Sequence, residues 1–236
     1  MPDNIQYLTT LGLGFLLGAR HALEADHLAA VSTLLSGRPN LKTSGWIGFC
    51  WGLGHTAILL AVGLVVILLQ VTISEPVAQA LEFGVGLMLV LLGGSLAMTL
   101  FREQWHLHVH RHGEDTHLHL HSHRLHVEHE HEHWLQGSLK PFMVGTVHGL
   151  AGSAALTLVV LSAVHTAWEG VAYILFFGIG SIVGMMLLGV LISLPLVASA
   201  ACGRRALAAV QGLASLGSIG LGLSMLARIG LGGGLP

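Results

Sequence analysis

Residues 18–31 read GARHALEADHLAAV and place five ionisable side chains, Arg20, His21, Glu24, Asp26 and His27, inside an otherwise apolar N-terminal segment. At bilayer depth a charged group costs at least about 2.5 to 3.5 kcal/mol on insertion scales, so such residues face a protein interior and mark a pathway or site. Two imidazoles and two carboxylates in one span point to a divalent metal. The competing reading is that these side chains only pair with one another or snorkel to an interface, which suits Arg20 best.

Outward from this stretch, the chain is 53% hydrophobic and 9% charged, far from the roughly 25% charged residues of soluble domains. It reads as an integral membrane protein with the lipid bilayer as its surroundings. Its 32 glycines suit helices that approach each other closely in lipid. A net charge of -2 with no Lys/Arg block after a span argues against a nucleic-acid partner. Cys50 and Cys202 lie in or beside apolar segments, so neither a disulfide framework nor a thiolate metal site is indicated. The opening MPDNIQYLTT lacks a basic n-region and a small-residue cleavage pattern. No removable signal peptide is expected, and the first helix directs insertion.

Apolar runs long enough to cross about 30 Å of hydrocarbon fall near 8–35, 45–70, 80–100, 142–164, 171–197 and 206–229. The expected fold is therefore an all-α membrane protein of six transmembrane helices in a single domain, with half one at 1–100, a loop at 101–141 and half two at 142–236. Alternating the connections puts Arg38, Lys42, Arg102, Arg111, Arg124, Lys140, Arg204 and Arg205 on one side and only Arg228 on the other. By the positive-inside rule the first side is cytoplasmic, which leaves both termini outside the cytoplasmic membrane.

The halves echo each other: FLLGARHALEADHLAAV with FMVGTVHGLAGSAALTLVV, GFCWGLGHTAILLAVGLVV with FGIGSIVGMMLLGVLI, and GVGLMLVLLGGSLAM with GLASLGSIGLGLSML. An odd number of spans per half makes such a repeat inverted across the membrane, a common transporter plan with the site between the halves. The alternative is that Gly-rich apolar helices align by composition alone.

On an ideal helix at about 100° per residue, Arg20, Glu24 and His27 share a narrow arc, Asp26 projects to nearly the opposite side and His21 lies between. A straight helix cannot aim His21, Asp26 and His27 at one ion. Either the segment is broken or kinked near Glu24 to Asp26, with freed backbone groups joining the site, or the site is narrower and uses the helix neighbours His21 and Glu24, or Glu24 and His27. The broken form is the expected one. The fourth span carries a similar polar interruption and could break in the same way. Imidazole with carboxylate suits Ni, Co, Zn, Fe or Mn, and the lack of a Cys or Met cluster argues against Cu(I).

Other spans carry polar groups at matching depths. His55 and Thr56 interrupt the second in GLGHTAILL, and His148 with Thr146 and Ser153 marks the fourth in GTVHGLAGSAAL. A lone intramembrane His more often walls or ligates a site than sits satisfied in a core. Ser181 is a weaker candidate, because a serine can bond back to its own helix. His165 and Glu169 fall in a short outer loop and need no special role.

The string RHALEADH resembles the signature of the nickel/cobalt transporter superfamily (NiCoT, NicO), a His, four residues, then Asp-His in one helix. Here these are His21, Asp26 and His27. GHTA at 54–57 is similar to the family's second motif, and HGLAGSAAL and GIGSIVGM look like its later ones, in a branch of urease accessory proteins of the UreH type. The resemblance spans all six helices. It implies that His21, Asp26 and His27 bind the metal in transit with help from His55; Glu24, Thr56, His148 and Ser153, polar groups of the same spans, are expected to support them. It further implies Ni2+ or Co2+ as transported ion with no prosthetic group, and urease or hydrogenase maturation proteins as partners. Glu24 stands where the importers of the family usually have Asp, and the later motifs lack their Asp-Thr pairs.

The loop at 101–141 holds twelve of the seventeen histidines: His106, His108, His110, His112, His117, His119, His121, His123, His126, His129, His131 and His133. Alternate residues of an extended chain share a face, and such tracts read as metal binding. A histidine pKa near about 6.5 leaves many rings neutral at cytoplasmic pH, and binding weakens as pH falls. The loop is expected to be disordered without metal and to concentrate, buffer or sense ions. A solubilising linker is the plainer reading.

Together these features point to a secondary transporter of nickel and/or cobalt working by alternating access, with uptake as the expected direction. The efflux branch of the superfamily also carries a His-rich loop, so efflux with the loop as collector is the alternative. No GxxxxGK[ST] string is present, and the HExxH zinc-protease pattern is absent. An intramembrane metalloenzyme and a non-transporting metal sensor are the remoter rivals, and an enzyme is not expected.

Overall fold

The computed structural model describes residues 2–37, 40–104, 107–112, 115–120, 134–163 and 166–231. Among the described residues, seven helices carry the fold: α1 (Pro2–His21), α2 (Ala25–Leu35), α3 (Leu41–Leu69), α4 (Glu75–Gln104), α5 (Trp134–Ala163), α6 (Ala167–Cys202) and α7 (Arg204–Leu231). In hydrocarbon a helix satisfies its backbone within itself, which is why long apolar sequence becomes helix. Among the described residues, α3, α4, α6 and α7 are each long and apolar enough to cross a membrane. α1 with α2, and α5, stand where the first and fourth spans are expected.

The segment expected to form the first span is broken. α1 ends at His21, Leu23 N–H reaches back to Arg20 O at 2.9 Å and Glu24 N–H to His21 O at 3.1 Å, and α2 restarts after Glu24, whose backbone is extended (φ -66°, ψ 150°). The fourth span differs from that pattern, for α5 runs unbroken through His148 and Ser153. Its hydroxyls bond back to their own helix, Thr146 to Phe142 O at 3.0 Å and Ser153 to Leu150 O at 2.6 Å, so its polar residues require no break.

The 101–141 loop is not wholly without structure. Leu107–His112 (β1) and Asp115–Leu120 (β2) pair antiparallel, with His108 opposite His119 and His110 opposite His117. Alternation of His with Leu and Val supplies the period of two that a strand requires. His106, His121, His123, His126, His129, His131 and His133 lie outside the described residues.

α3 runs between α5 and α6, α1 lies along α6, α4 along α7, and short α2 rests on α7, α4 and α6. The core gathers Val31 and Leu35 of α2, Trp51 of α3, Leu89 of α4 and Met185 of α6. Large apolar side chains such as Leu68 and Leu213 stay exposed on the outside, as lipid-facing residues do.

Glycine sets the close approaches. A Cβ at Gly18 would strike the carbonyl of Phe177, and one at Gly180 that of Phe15; likewise a Cβ at Gly145 would strike the carbonyl of Trp51, and one at Gly54 that of Phe142. The α1–α6 and α3–α5 crossings are thus built alike. Phe15, Gly18 and His21 of the first play the parts of Phe142, Gly145 and His148 in the second. α4 and α7 are tied by Ser215 Oγ donating to Gly93 O (2.8 Å) and Ser218 Oγ to Leu89 O (2.9 Å), small-residue contacts that suit a lipid-embedded interface.

Candidate metal centre

The break after His21 places the ionisable residues on two separate helices. His21 ends α1, Asp26 and His27 occupy the first turn of α2, and the N-terminal end of α2 favours the Asp26 carboxylate. His55 comes from α3 and His148 from α5, each next to a close crossing, since the Cβ missing at Gly149 would lie 2.7 Å from His55 O. The structure thereby brings His21, Asp26, His27, His55 and His148 into one cluster.

Ring centroids lie 4.6 Å apart for His21 and His27, 5.2 Å for His21 and His55, 5.4 Å for His27 and His55, and 4.1 Å for His27 and His148. His27, His55 and His148 are at most 2% exposed, whereas the His21 side chain is 17% and that of Glu24 56% exposed. His21 and Glu24 are thus the outermost members of the cluster. Among the described residues, two triads have ligand atoms within 4.8 Å of one another: His21, His27 and His55, and Asp26, His27 and His148.

Hydrogen bonding divides the ring nitrogens. An ionised carboxylate only accepts, so the ring N–H groups donate: His27 Nδ1 to Asp26 Oδ1 (3.1 Å), His148 Nε2 to Asp26 Oδ2 (2.9 Å), and His21 Nδ1 to Glu24 Oε1 (2.9 Å). Asp26 Oδ1 also accepts from the His27 backbone N–H at 2.9 Å. Among the described residues, His27 Nε2, both nitrogens of His55 and His148 Nδ1 are buried with no hydrogen-bond partner. Buried polar atoms are nearly always satisfied, and imidazole lone pairs grouped in this way have the chemistry to take a borderline divalent ion.

Thr56 and Ser153 sit beside the cluster with their hydroxyls turned to backbone. Thr56 Oγ1 donates to Gly178 O at 3.1 Å and ties α3 to α6, while Ser153 bonds within α5. Ser181 Oγ likewise donates to Gly18 O at 3.2 Å across the α6–α1 crossing. Two residues that sequence reading missed line the site. The Trp51 indole stacks on His27 at 5.6 Å and 11°, and the Phe177 ring lies 5.6 Å from His21. Trp51 was detectable, because it lies four residues before His55 and so on the same helix face; Phe177 had no comparable signal.

The NicO family model, described as "High-affinity nickel-transport protein", matches residues 7–223. Among curated proteins the chain is similar to urease accessory protein UreH of Bacillus sp. (strain TB-90), 38% identical over 198 residues that cover 84% of this chain and 82% of that one. It is also similar to two Arabidopsis thaliana proteins. To chloroplast protein FOR GROWTH AND FERTILITY 1 it is 28% identical over 181 residues, 76% of this chain and 48% of that one. To chloroplast protein FOR GROWTH AND FERTILITY 2 it is 39% identical over 66 residues, 28% and 18% of the respective chains. No solved structure matches. With the family model spanning nearly the whole chain, this membrane protein belongs to the NicO family, a family of metal-ion transporters rather than enzymes.

Proposed function

We propose that the protein is a secondary transporter that carries Ni2+ and/or Co2+ across the cytoplasmic membrane, in the direction of uptake, through the pocket of His21, Asp26, His27 and His55 with Glu24 and His148 beside it. The single observation that carries this reading is the cluster of buried imidazoles with unpartnered nitrogens inside a lipid-embedded helix bundle. Polar groups at that depth are costly and mark ion paths. The ion is cargo, and His21 and Glu24 are the exposed members of its pocket.

Six crossings in an inverted three-plus-three arrangement complete the proposal, with α1 and α2 together as the first and α5 as the fourth. The like-built α1–α6 and α3–α5 crossings support it, because equivalent Phe, Gly and His residues recur in each. Alternating access then follows from one half rocking on the other about the pocket. Both termini lie outside and the His-rich segment lies in the cytoplasm, by the distribution of Lys and Arg. The printed name of the Bacillus relative supports nickel delivery to urease maturation as the use of the cargo.

An inside-negative potential supplies about 4.6 kcal/mol per 100 mV to a divalent cation, at about 2.3 kcal/mol per charge, enough for roughly thousandfold accumulation. In proteoliposomes, nickel uptake is expected to rise as the interior is made negative and to need no nucleotide. Flux that ignores the potential, or absence of flux, would overturn the proposal. Efflux would show as export needing a second ion gradient.

The His-rich segment is proposed as a cytoplasmic ion buffer outside the path. Removing residues 104–134 is expected to lower the number of nickel ions bound per protein while leaving vesicle flux near that of the unaltered protein. Equilibrium dialysis beside the flux assay checks both. Loss of flux would instead make the segment part of the transport path.

A further inference from the structure

The two triads differ in what their nitrogens are free to do. In the triad of Asp26, His27 and His148, the atoms are close because they are already hydrogen-bonded: each Asp26 oxygen takes one ring N–H, from His27 Nδ1 and His148 Nε2. In the triad of His21, His27 and His55, each ring keeps a nitrogen that is not bonded to a carboxylate. His21 engages Glu24 through Nδ1, which leaves Nε2; His27 engages Asp26 through Nδ1, which leaves Nε2; both nitrogens of His55 are unpartnered. A methyl group placed at Gly152 would lie 3.7 Å from His21 Nε2 and 3.9 Å from His55 Cε1, so these two rings edge the same small space. Stacking on Trp51 fixes the plane of His27.

We propose that the ion is held by three imidazoles, through Nε2 of His21, Nε2 of His27 and one ring nitrogen of His55, and that Glu24 and Asp26 bond the far sides of the rings without touching the ion. The proposal rests on the reading of this pocket as the ion site. Carboxylates behind ligating histidines fix the tautomer and the ring orientation and make the ligand nitrogen more basic. Asp26 is thus a positioning residue, and His148 serves by holding the other oxygen of Asp26. Three neutral nitrogens favour Ni2+, Co2+ and Zn2+ over Mn2+ and Mg2+, which prefer oxygen. They also leave coordination positions to water, as an ion that must leave again requires.

The test uses the full-length protein with the twelve loop histidines changed to glutamine, loaded with one equivalent of Co2+, the count being that of the 101–141 segment. X-ray absorption is expected to show three imidazoles and no carboxylate, a pattern unchanged by Asp26→Asn and reduced to two imidazoles by His55→Ala. Asp26→Asn is expected to weaken Co2+ binding by about tenfold to a hundredfold, the range for a lost outer partner. In flux by the chain with its natural loop, it is expected to raise KM while keeping Co2+ ahead of Mn2+. Two imidazoles with a carboxylate in the parent protein, or a first shell altered by Asp26→Asn, would overturn the proposal while leaving the pocket as the ion site. No Co2+ bound by the parent would overturn both. The parent spectrum decides even if His55→Ala does not fold.

Discussion

His27→Ala is expected to abolish nickel flux in proteoliposomes, with a fall of more than about a hundredfold, since loss of an outer partner alone already costs such sites 10- to 100-fold. His27 is the residue common to both triads, and its ring lies against those of His21, Trp51, His55 and His148. Truncation removes a donor and takes from Asp26 Oδ1 its ring partner, leaving that oxygen with the residue-27 backbone N–H alone while Oδ2 still accepts from His148. Ser95→Ala is the control, because the Ser95 hydroxyl donates to Leu92 O of its own helix on an exposed face of α4, and its flux should stay near that of the unaltered protein. Flux by His27→Ala equal to the control would remove the pocket from the transport path.

The second large effect concerns folding. Gly145→Leu is expected to prevent recovery of monodisperse protein in detergent, because the new side chain would begin inside the Trp51 carbonyl, with Trp51 C at 2.9 Å from its Cβ. Backbone cannot yield as a flexible side chain can, so α3 and α5 must part and the Trp51 ring must leave His27. Overpacking in a well-filled interior costs about 1–3 kcal/mol and sometimes more, against a total stability of about 5–15 kcal/mol. Gly94→Ala offers the contrast, since nothing lies within 4 Å of a Cβ there. Ala exceeds Gly in helix propensity by up to about 1 kcal/mol, so that variant should match or slightly exceed the unaltered protein in thermal unfolding. Equal yields for Gly145→Leu and Gly94→Ala would contradict the α3–α5 packing.

How far the sequence discloses this arrangement depends on the residue. The break after His21 is legible from helix geometry alone, because His21, Asp26 and His27 cannot face one point on a straight helix. The place of His55 and His148 near them is hinted by cost, since imidazoles are rare at bilayer depth without a use. That Asp26 bridges His27 to His148 is not legible, as residues 26 and 148 meet only through the α3–α5 crossing and the position of α2. The same holds for Thr56, whose bond to Gly178 O depends on the helix opposite. α5 resembles the first span in sequence yet stays continuous, because its hydroxyls have carbonyls of their own helix within reach. The β1–β2 pairing uses the alternation already visible in the histidine tract, whereas the partner of each strand, which the expectation of a disordered loop left out, is not visible in that alternation.

The most direct test of the central claim, that an ion passes through an enclosed imidazole pocket, is radioactive nickel uptake into oriented proteoliposomes under an inside-negative potential, comparing the unaltered protein with His21→Ala and Asp26→Ala. Potential-driven uptake is expected in the unaltered protein, with a steep loss in His21→Ala and a loss in Asp26→Ala as its partner rings lose their brace. Undiminished uptake in both variants would contradict it.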